Sequence, residues 1–444
     1  MKIKVEHKPR IEKILRPFQR FFITQASGGI VLLFCAVIAI VWANSPWGEY
    51  YDKIWHTEFT IGIKDFILTQ SLHFWINDGL MAIFFFVVGL EIKRELIVGE
   101  LSSFKKAAFP IAAAIGGMLV PAAIYSALNY GSDSISGWGI PMATDIAFAV
   151  GIIALFGDRI PLGLKVFLTA LAIVDDLGAV LVIAIFYTSD LYLTSLLIGG
   201  IIFIALIICN RLHIRHPIVY LILGIGLWFA FLYSGVHATI AGVIAAFTIP
   251  AKARINSKKY VEEGKEVFIE LEASESIGED VPATKEFNSA VFHLESISHK
   301  VLPPMHRLEH KLEYWVAFFI MPIFALVNAG LKIESELLAN IFNPISLGVI
   351  LGLIAGKQIG ILLFSWLSIK LKIAALPSGA TWNKLHGISA VAGIGFTMSL
   401  FIAGLAFDNI LYLQEAKLGI LIASALSGII GAVILKIGKD PKQA

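Results

Sequence analysis

Two adjacent carboxylates, Asp175 and Asp176, stand inside an apolar run from about Val166 to Tyr187. At about 1.5 Å per helical residue, a run of that length crosses a hydrocarbon layer about 30 Å thick, and both acids fall near its middle. An ionised side chain there costs at least about 2.5–3.5 kcal/mol on the insertion scale, so two in succession call for partners, water or a bound cation. Neighbours on a helix point about 100° apart. One of the pair can therefore face a cation path while the other meets a fixed partner. Polar glue between helices is the bland alternative, but Asn or Gln would serve that purpose without two charges.

Lys357, in Gly352-Leu-Ile-Ala-Gly-Lys-Gln-Ile-Gly360, is the only basic residue deep in an apolar run, about twelve residues from its start, where snorkelling is hampered. An ammonium at that depth wants a carboxylate, and Asp175 or Asp176 is the natural partner. The run at 139–156 begins Gly139-Ile-Pro-Met-Ala-Thr-Asp145, so Pro141, Thr144 and Asp145 share one crossing. Proline removes a backbone donor and disfavours helix just before it, which predicts an interruption. A similar break is expected in Gly387-Ile-Ser-Ala-Val-Ala-Gly-Ile-Gly-Phe-Thr-Met398. Backbone groups freed at membrane depth survive only where protein or a water-filled cavity satisfies them. Na⁺ or Li⁺ prefers oxygen ligands, which Asp175, Asp176, the Thr144 hydroxyl and unwound carbonyls would supply. The same carboxylates bind protons. Two species competing for one group is the minimal chemistry of an exchanger, and no cofactor is needed.

The elements that position these residues follow from composition. Of 444 residues, 57% are hydrophobic and 15% charged, too apolar for a soluble domain and typical of a multi-pass membrane protein. A net charge of +2 leaves no basic stripe for nucleic acid. Cys35 and Cys209 lie in apolar runs and read as small buried hydrophobes. Twelve apolar runs, near 27–44, 74–98, 107–129, 139–156, 166–187, 193–209, 217–232, 235–250, 313–330, 345–369, 386–406 and 418–437, predict an all-α polytopic fold. With both termini inside, the inner tails and short loops hold 21 of the 35 basic residues and the outer loops only Lys53, Lys64, Lys332 and Lys417, the asymmetry that orients a membrane protein. The chain then divides into a cytoplasmic tail at 1–26, spans one to eight over 27–250, a long inner loop at 251–312, spans nine to twelve over 313–437 and a tail at 438–444. Ten acidic and five basic residues between Asn256 and Lys300 predict a largely disordered or loosely helical loop. Alternation in Glu58-Phe-Thr-Ile-Gly-Ile-Lys64 suggests a short hairpin or extended segment on the outer surface. Spans three to five and ten to twelve form two units of opposite topology, each with its interrupted helix (span four or eleven) in the middle. That arrangement points to a midplane transport site, with glycines for close helix packing as the structural alternative.

Several stretches resemble the NhaA-type bacterial sodium/proton antiporters: Ala143-Thr-Asp-Ile-Ala-Phe148, Ala170-Leu-Ala-Ile-Val-Asp-Asp-Leu-Gly178, Gly89-Leu-Glu-Ile-Lys-Arg-Glu-Leu96, Gly235-Val-His-Ala-Thr-Ile-Ala-Gly242 and Gly393-Ile-Gly-Phe-Thr-Met-Ser399. The likeness touches essentially every span. It implies twelve transmembrane helices with inverted-topology repeats, two crossed interrupted helices, and electrogenic exchange of cytoplasmic Na⁺ or Li⁺ for more than one external H⁺. It implies Asp175 and Asp176 as the cation and proton site, Thr144 and Asp145 as support, and Lys357 as partner to an acid. It further implies a pH-responsive cluster of Glu91, Arg94, Glu95, Arg307, Glu309 and His310, a pH role for His237, a homodimer joined partly through the first outer loop, and residence among lipid in the bacterial inner membrane. His237 reads equally as a satisfied core histidine. The loop at 251–312 is longer than the family's usual connection and puts the geometry of the pH cluster in question. Two rivals remain, a sodium-coupled symporter of an organic anion, which needs a roomy polar pocket, and an intramembrane aspartyl protease pairing Asp145 with Asp175, which lacks the Gly-x-Gly-Asp signature.

Overall fold

Long uninterrupted apolar sequence folds here as long helices, because in hydrocarbon each backbone N–H and C=O must find its partner within the segment. A computed structural model describes residues 10–63, 66–188, 191–253, 255–273 and 285–437. Among these, seven helices are long and apolar enough to cross a membrane: Phe104–Leu128, Asp133–Leu155, Leu162–Phe186, Leu193–Arg211, Pro304–Asn328, Pro344–Lys370 and Ile410–Ile437. Two bent pairs raise the number to nine, Ser27–Ala43 with Gly48–Trp55 and Trp382–Val391 with Phe396–Ala406. The expected spans at 74–98, 217–232 and 235–250 correspond to the helices Met81–Val98, Pro217–Leu232 and Ile240–Thr248. These are too charged or too short to qualify by length and composition alone. The first helix begins at Arg10, well before the expected span at 27. Residues 1–9 and 438–444 of the expected tails lie outside the described residues.

Span four is interrupted as the proline implied. A 3₁₀ stretch, Asp133–Met142, gives way to extended backbone at Ala143 and Asp145 before the helix Ile146–Leu155 begins. Span eleven bends by 47° between Val391 and Phe396. Three π-helical turns, Trp75–Leu80, Val316–Ile320 and Gly352–Gly356, lie within otherwise α-helical rods, and the last ends immediately before Lys357. Composition carries no sign of them.

Close packing depends on glycine. Phe104–Leu128 meets Lys357–Lys370 so tightly that a Cβ on Gly116 or Gly360 would overlap the other's carbonyl oxygen. This is the small-residue contact by which membrane helices gain van der Waals attraction. Along the first helix, a Cβ on Gly28 would lie 2.9 Å from Ala317 Cβ, and one on Gly29 2.9 Å from the Ala147 carbonyl oxygen. Glu58–Ile63 pairs antiparallel with Phe66–Ser71, and the Trp75 indole donates to the Phe59 carbonyl at 3.1 Å.

The long loop, expected to be largely disordered or loosely helical, carries two helices among its described residues. Ser257–Ala273 and Lys285–Val301 are helices packed on each other around Val267, Ala290 and Ile297, with Tyr260 and Leu294 alongside. Averaging the composition over the whole loop hides this pattern, because the few apolar residues recur on one face of each helix and make a small core of their own. Residues 274–284 lie outside the described residues.

Candidate functional site

The two interruptions satisfy each other. The Asp145 N–H donates to the Ile394 carbonyl at 2.7 Å, and the Thr144 hydroxyl donates to the Ala392 carbonyl at 2.9 Å. In return, the Asp145 carboxylate accepts from the Thr397 N–H at 3.1 Å and the Thr397 hydroxyl at 2.5 Å on Oδ2, and from the Phe148 N–H at 3.1 Å on Oδ1. Asp145 therefore caps the helix Ile146–Leu155 and holds the start of Phe396–Ala406 with the same side chain. The Ser399 hydroxyl adds a bond to the Ile140 carbonyl at 2.7 Å. Unwound backbone at this depth is thus paired by protein.

On the helix Leu162–Phe186, the two adjacent aspartates do part company. Asp175 Oδ2 takes the Lys357 ammonium at 2.5 Å and the Thr144 hydroxyl at 2.8 Å, with no side-chain exposure on either member of the ion pair. Asp176, 3% exposed, turns to a narrow cavity of about 40 Å³ that it shares with Thr144, Asp145, Thr397 and Met398. That volume has room for roughly three water molecules. Asp175 Oδ1 and Asp176 Oδ1 are both buried without a hydrogen-bond donor. An orphaned carboxylate oxygen on a small cavity suits a hard monovalent cation or a proton, since a buried acceptor left unpaired is costly. Among the described residues, no three His, Cys, Asp or Glu side chains converge as for a tightly held metal.

The cavity continues past Phe84, Val87 and Val88 to Glu91, Glu309 and Glu313. Arg94 is the hub of that end, with its guanidinium 2.7 Å from Glu309, 3.0 Å from Glu95 and 3.7 Å from Glu91. Four residues of the expected pH cluster are thereby brought together, and two are not. Arg307 lines a separate groove of about 710 Å³ with His213, Arg215, His216, Glu295 and Lys300, none of which lines the cavity at Asp176. His310 is exposed, and the imidazole nearest Glu309 is that of His306, at 3.6 Å. His237 is half-buried elsewhere, bonded through Nδ1 to the Thr239 hydroxyl at 2.8 Å and facing Asp78 at 3.8 Å. Sequence reasoning missed Thr397, Asp78, His306 and Glu313. An acid in the run at 74–98 flagged Asp78, and the Phe-Thr-Met motif already contained Thr397. Glu313 was read only as the first residue of a span.

Comparison with known proteins follows the same outline. The family model described as Na⁺/H⁺ antiporter 1 matches residues 19–435. The Na⁺/H⁺ antiporter NhaA of Oleidesulfovibrio alaskensis is 50% identical over 437 residues, covering 98% of this chain and 97% of that one. NhaA 2 of Syntrophotalea carbinolica is 50% identical over 430 residues, 96% of this chain and 97% of its own. NhaA 1 of Clostridium beijerinckii is 50% identical over 428 residues, 96% of each.

Proposed function

Because the chain belongs to the Na⁺/H⁺ antiporter 1 family, and so is a multi-pass membrane transporter and not an enzyme, we propose that it extrudes cytoplasmic Na⁺ or Li⁺ in exchange for external H⁺ at Asp175 and Asp176. The observation that carries this reading is the orphaned Asp176 Oδ1 on a cavity sized for a few waters, with the orphaned Oδ1 of Asp175 on the adjoining residue. A cation drawn to Asp176 also meets Asp175, whose other oxygen already holds Lys357. A second positive charge there loosens the lysine's hold on its proton. One proton from Asp176 and one from the Lys357–Asp175 pair, exchanged for a single monovalent cation, make the cycle electrogenic.

In this reading the helices form twelve spans in the inner membrane with both termini cytoplasmic, and spans four and eleven cross at their interruptions as the centre of two inverted repeats. The hydrogen bonds between Asp145, Thr144 and the 392–397 segment support that crossing. Thr144, Asp145 and Lys357 then position the site, and the Glu91, Arg94, Glu95 and Glu309 cluster, with Arg307, His310 and His237 in outer roles, sets the response to pH. The hairpin at 58–71 serves a homodimer. An organic anion has no room in about 40 Å³, and Asp145 is too fully hydrogen-bonded to act as a protease acid, so neither rival gains support.

Asp176→Asn tests the assignment, because an amide keeps the size of the side chain but exchanges no proton. In proteoliposomes carrying a pH-sensitive dye, the variant is expected to insert normally and to lose Na⁺-stimulated proton movement. Near-normal exchange would remove Asp176 from the site.

A further inference from the structure

Glu313 stands apart from the acids around it. It lies one helical turn beyond Glu309 on Pro304–Trp315, about 6 Å deeper along the helix, and the following residues Val316, Ala317 and Met321 line the same cavity that reaches Asp176. Glu91, Glu95 and Glu309 all lie within 4 Å of the Arg94 guanidinium. Among the described residues, Glu313 has no such ion pair, and its Oε1, like Glu91 Oε1 and Glu309 Oε2, is buried without a hydrogen-bond donor. The side chain is half-buried, so it is not simply returned to water at the helix surface. A carboxylate in this condition is costly to keep, and the cavity it lines leads to a second one in the same condition, Asp176.

We propose that Glu313 is a cation-capture residue, the first carboxylate past Arg94 to meet an incoming alkali cation and pass it to Asp176. The inference rests on the exchange reading above and deepens it. Glu309 and Glu91 are held within 4 Å of Arg94, whereas Glu313 feels Arg94 and His310 only from farther off, so a cation approaching through this mouth gains most from the acid least neutralised by the protein. The cavity is too narrow for a full hydration shell, and a protein oxygen four residues inside the mouth replaces part of that shell before the midplane is reached. Glu313 is distinct from the residues that bind at the midplane. Its loss weakens capture and leaves the exchange chemistry of Asp175, Asp176 and Lys357 in place.

Everted membrane vesicles, which present the inner face outward, allow the test. For Glu313→Gln the half-saturating Na⁺ concentration is expected to rise roughly three- to tenfold, the scale of one unit charge acting over about 10 Å through a partly aqueous path. The maximal rate should stay within about twofold, and Glu313→Asp, which restores the charge, should return most of the affinity. A merely structural glutamate would lower the amount of protein or the maximal rate and leave half-saturation unmoved. That result, or an unchanged Glu313→Gln, overturns the proposal. Should Glu313→Gln fail to accumulate in the membrane, Glu313→Asn carries the same expectation. Asp176→Asn, measured alongside, separates the two layers: exchange surviving there sinks the site assignment itself, whereas loss there with unchanged half-saturation in Glu313→Gln sinks only the capture role.

Discussion

Replacing Lys357 by alanine strands the Asp175 carboxylate in a place with no side-chain exposure. What remains to it is the Thr144 hydroxyl at 2.8 Å on Oδ2, with Oδ1 lacking a donor altogether. Removing one member of a buried ion pair costs about 3–5 kcal/mol. The cost also has a ceiling, because a stranded acid can take up a proton in place of staying charged. From a solution value near 3.9, that takes about 4 kcal/mol at pH 7, in agreement with the first figure, and about 2 kcal/mol at pH 5.5. The penalty of Lys357→Ala should therefore shrink as the pH is lowered. Asp175→Asn strands the lysine instead, with a ceiling of about 4.6 kcal/mol at pH 7 that shrinks as the pH is raised. The double variant Asp175→Asn, Lys357→Ala strands neither charge and should recover at least half of the larger loss. Reversible unfolding in mixed detergent and SDS micelles, followed by tryptophan fluorescence at pH 5.5, 7.0 and 8.5, gives all four corners of the cycle. Effects that add to within about 0.5 kcal/mol, with no opposed pH slopes, would refute the pair as an energetic unit.

Two further outcomes follow from the packing. Gly360→Ala forces a methyl against the Gly116 carbonyl, so detergent stability should fall by about 1–3 kcal/mol and exchange should drop with it, since Lys357 lies three residues away on the same helix; Gly404→Ala, whose added Cβ meets nothing within 4 Å, should be silent in both thermal stability and transport. Replacing residues 256–300 with a flexible connector removes a helical pair that has its own small core, and dye assays across pH should then show a displaced profile with maximal rate and cation affinity largely kept, whereas loss of exchange at every pH would make that pair part of the transport mechanism.

The residues that cost most to bury were the ones legible in the sequence. Asp175, Asp176 and Lys357 are conspicuous because ionisable groups in apolar runs are expensive, and the interruption in span four shows in the proline at 141. Which aspartate takes the lysine was not legible, since the spacing of two neighbours fixes the angle between them but not the rotation of their helix against Pro344–Lys370. Thr397 and Glu313 stayed hidden for a similar reason: one threonine in a Gly-rich motif and one glutamate at the start of an apolar run look ordinary until a partner element is placed beside them. The small core between the two helices of the long loop was not legible because a polar average over 45 residues erased the spacing of Val267, Ala290 and Ile297. The π-helical turns have no compositional signature at all.

The two interruptions are joined by five hydrogen bonds, from Asp145 N–H, Thr144, Thr397 N–H, the Thr397 hydroxyl and Ser399. Pulling them apart would strand several buried polar groups at about 1–3 kcal/mol each, a total on the order of 10 kcal/mol. A conformational change would part more cheaply at a seam with fewer such bonds. The seam where the first helix meets the rest is of another kind, glycine against alanine and a carbonyl edge at Gly28 and Gly29, where sliding trades one van der Waals contact for another of like worth. Sliding along the Gly28 and Gly29 seam would thus cost less than parting the two interruptions.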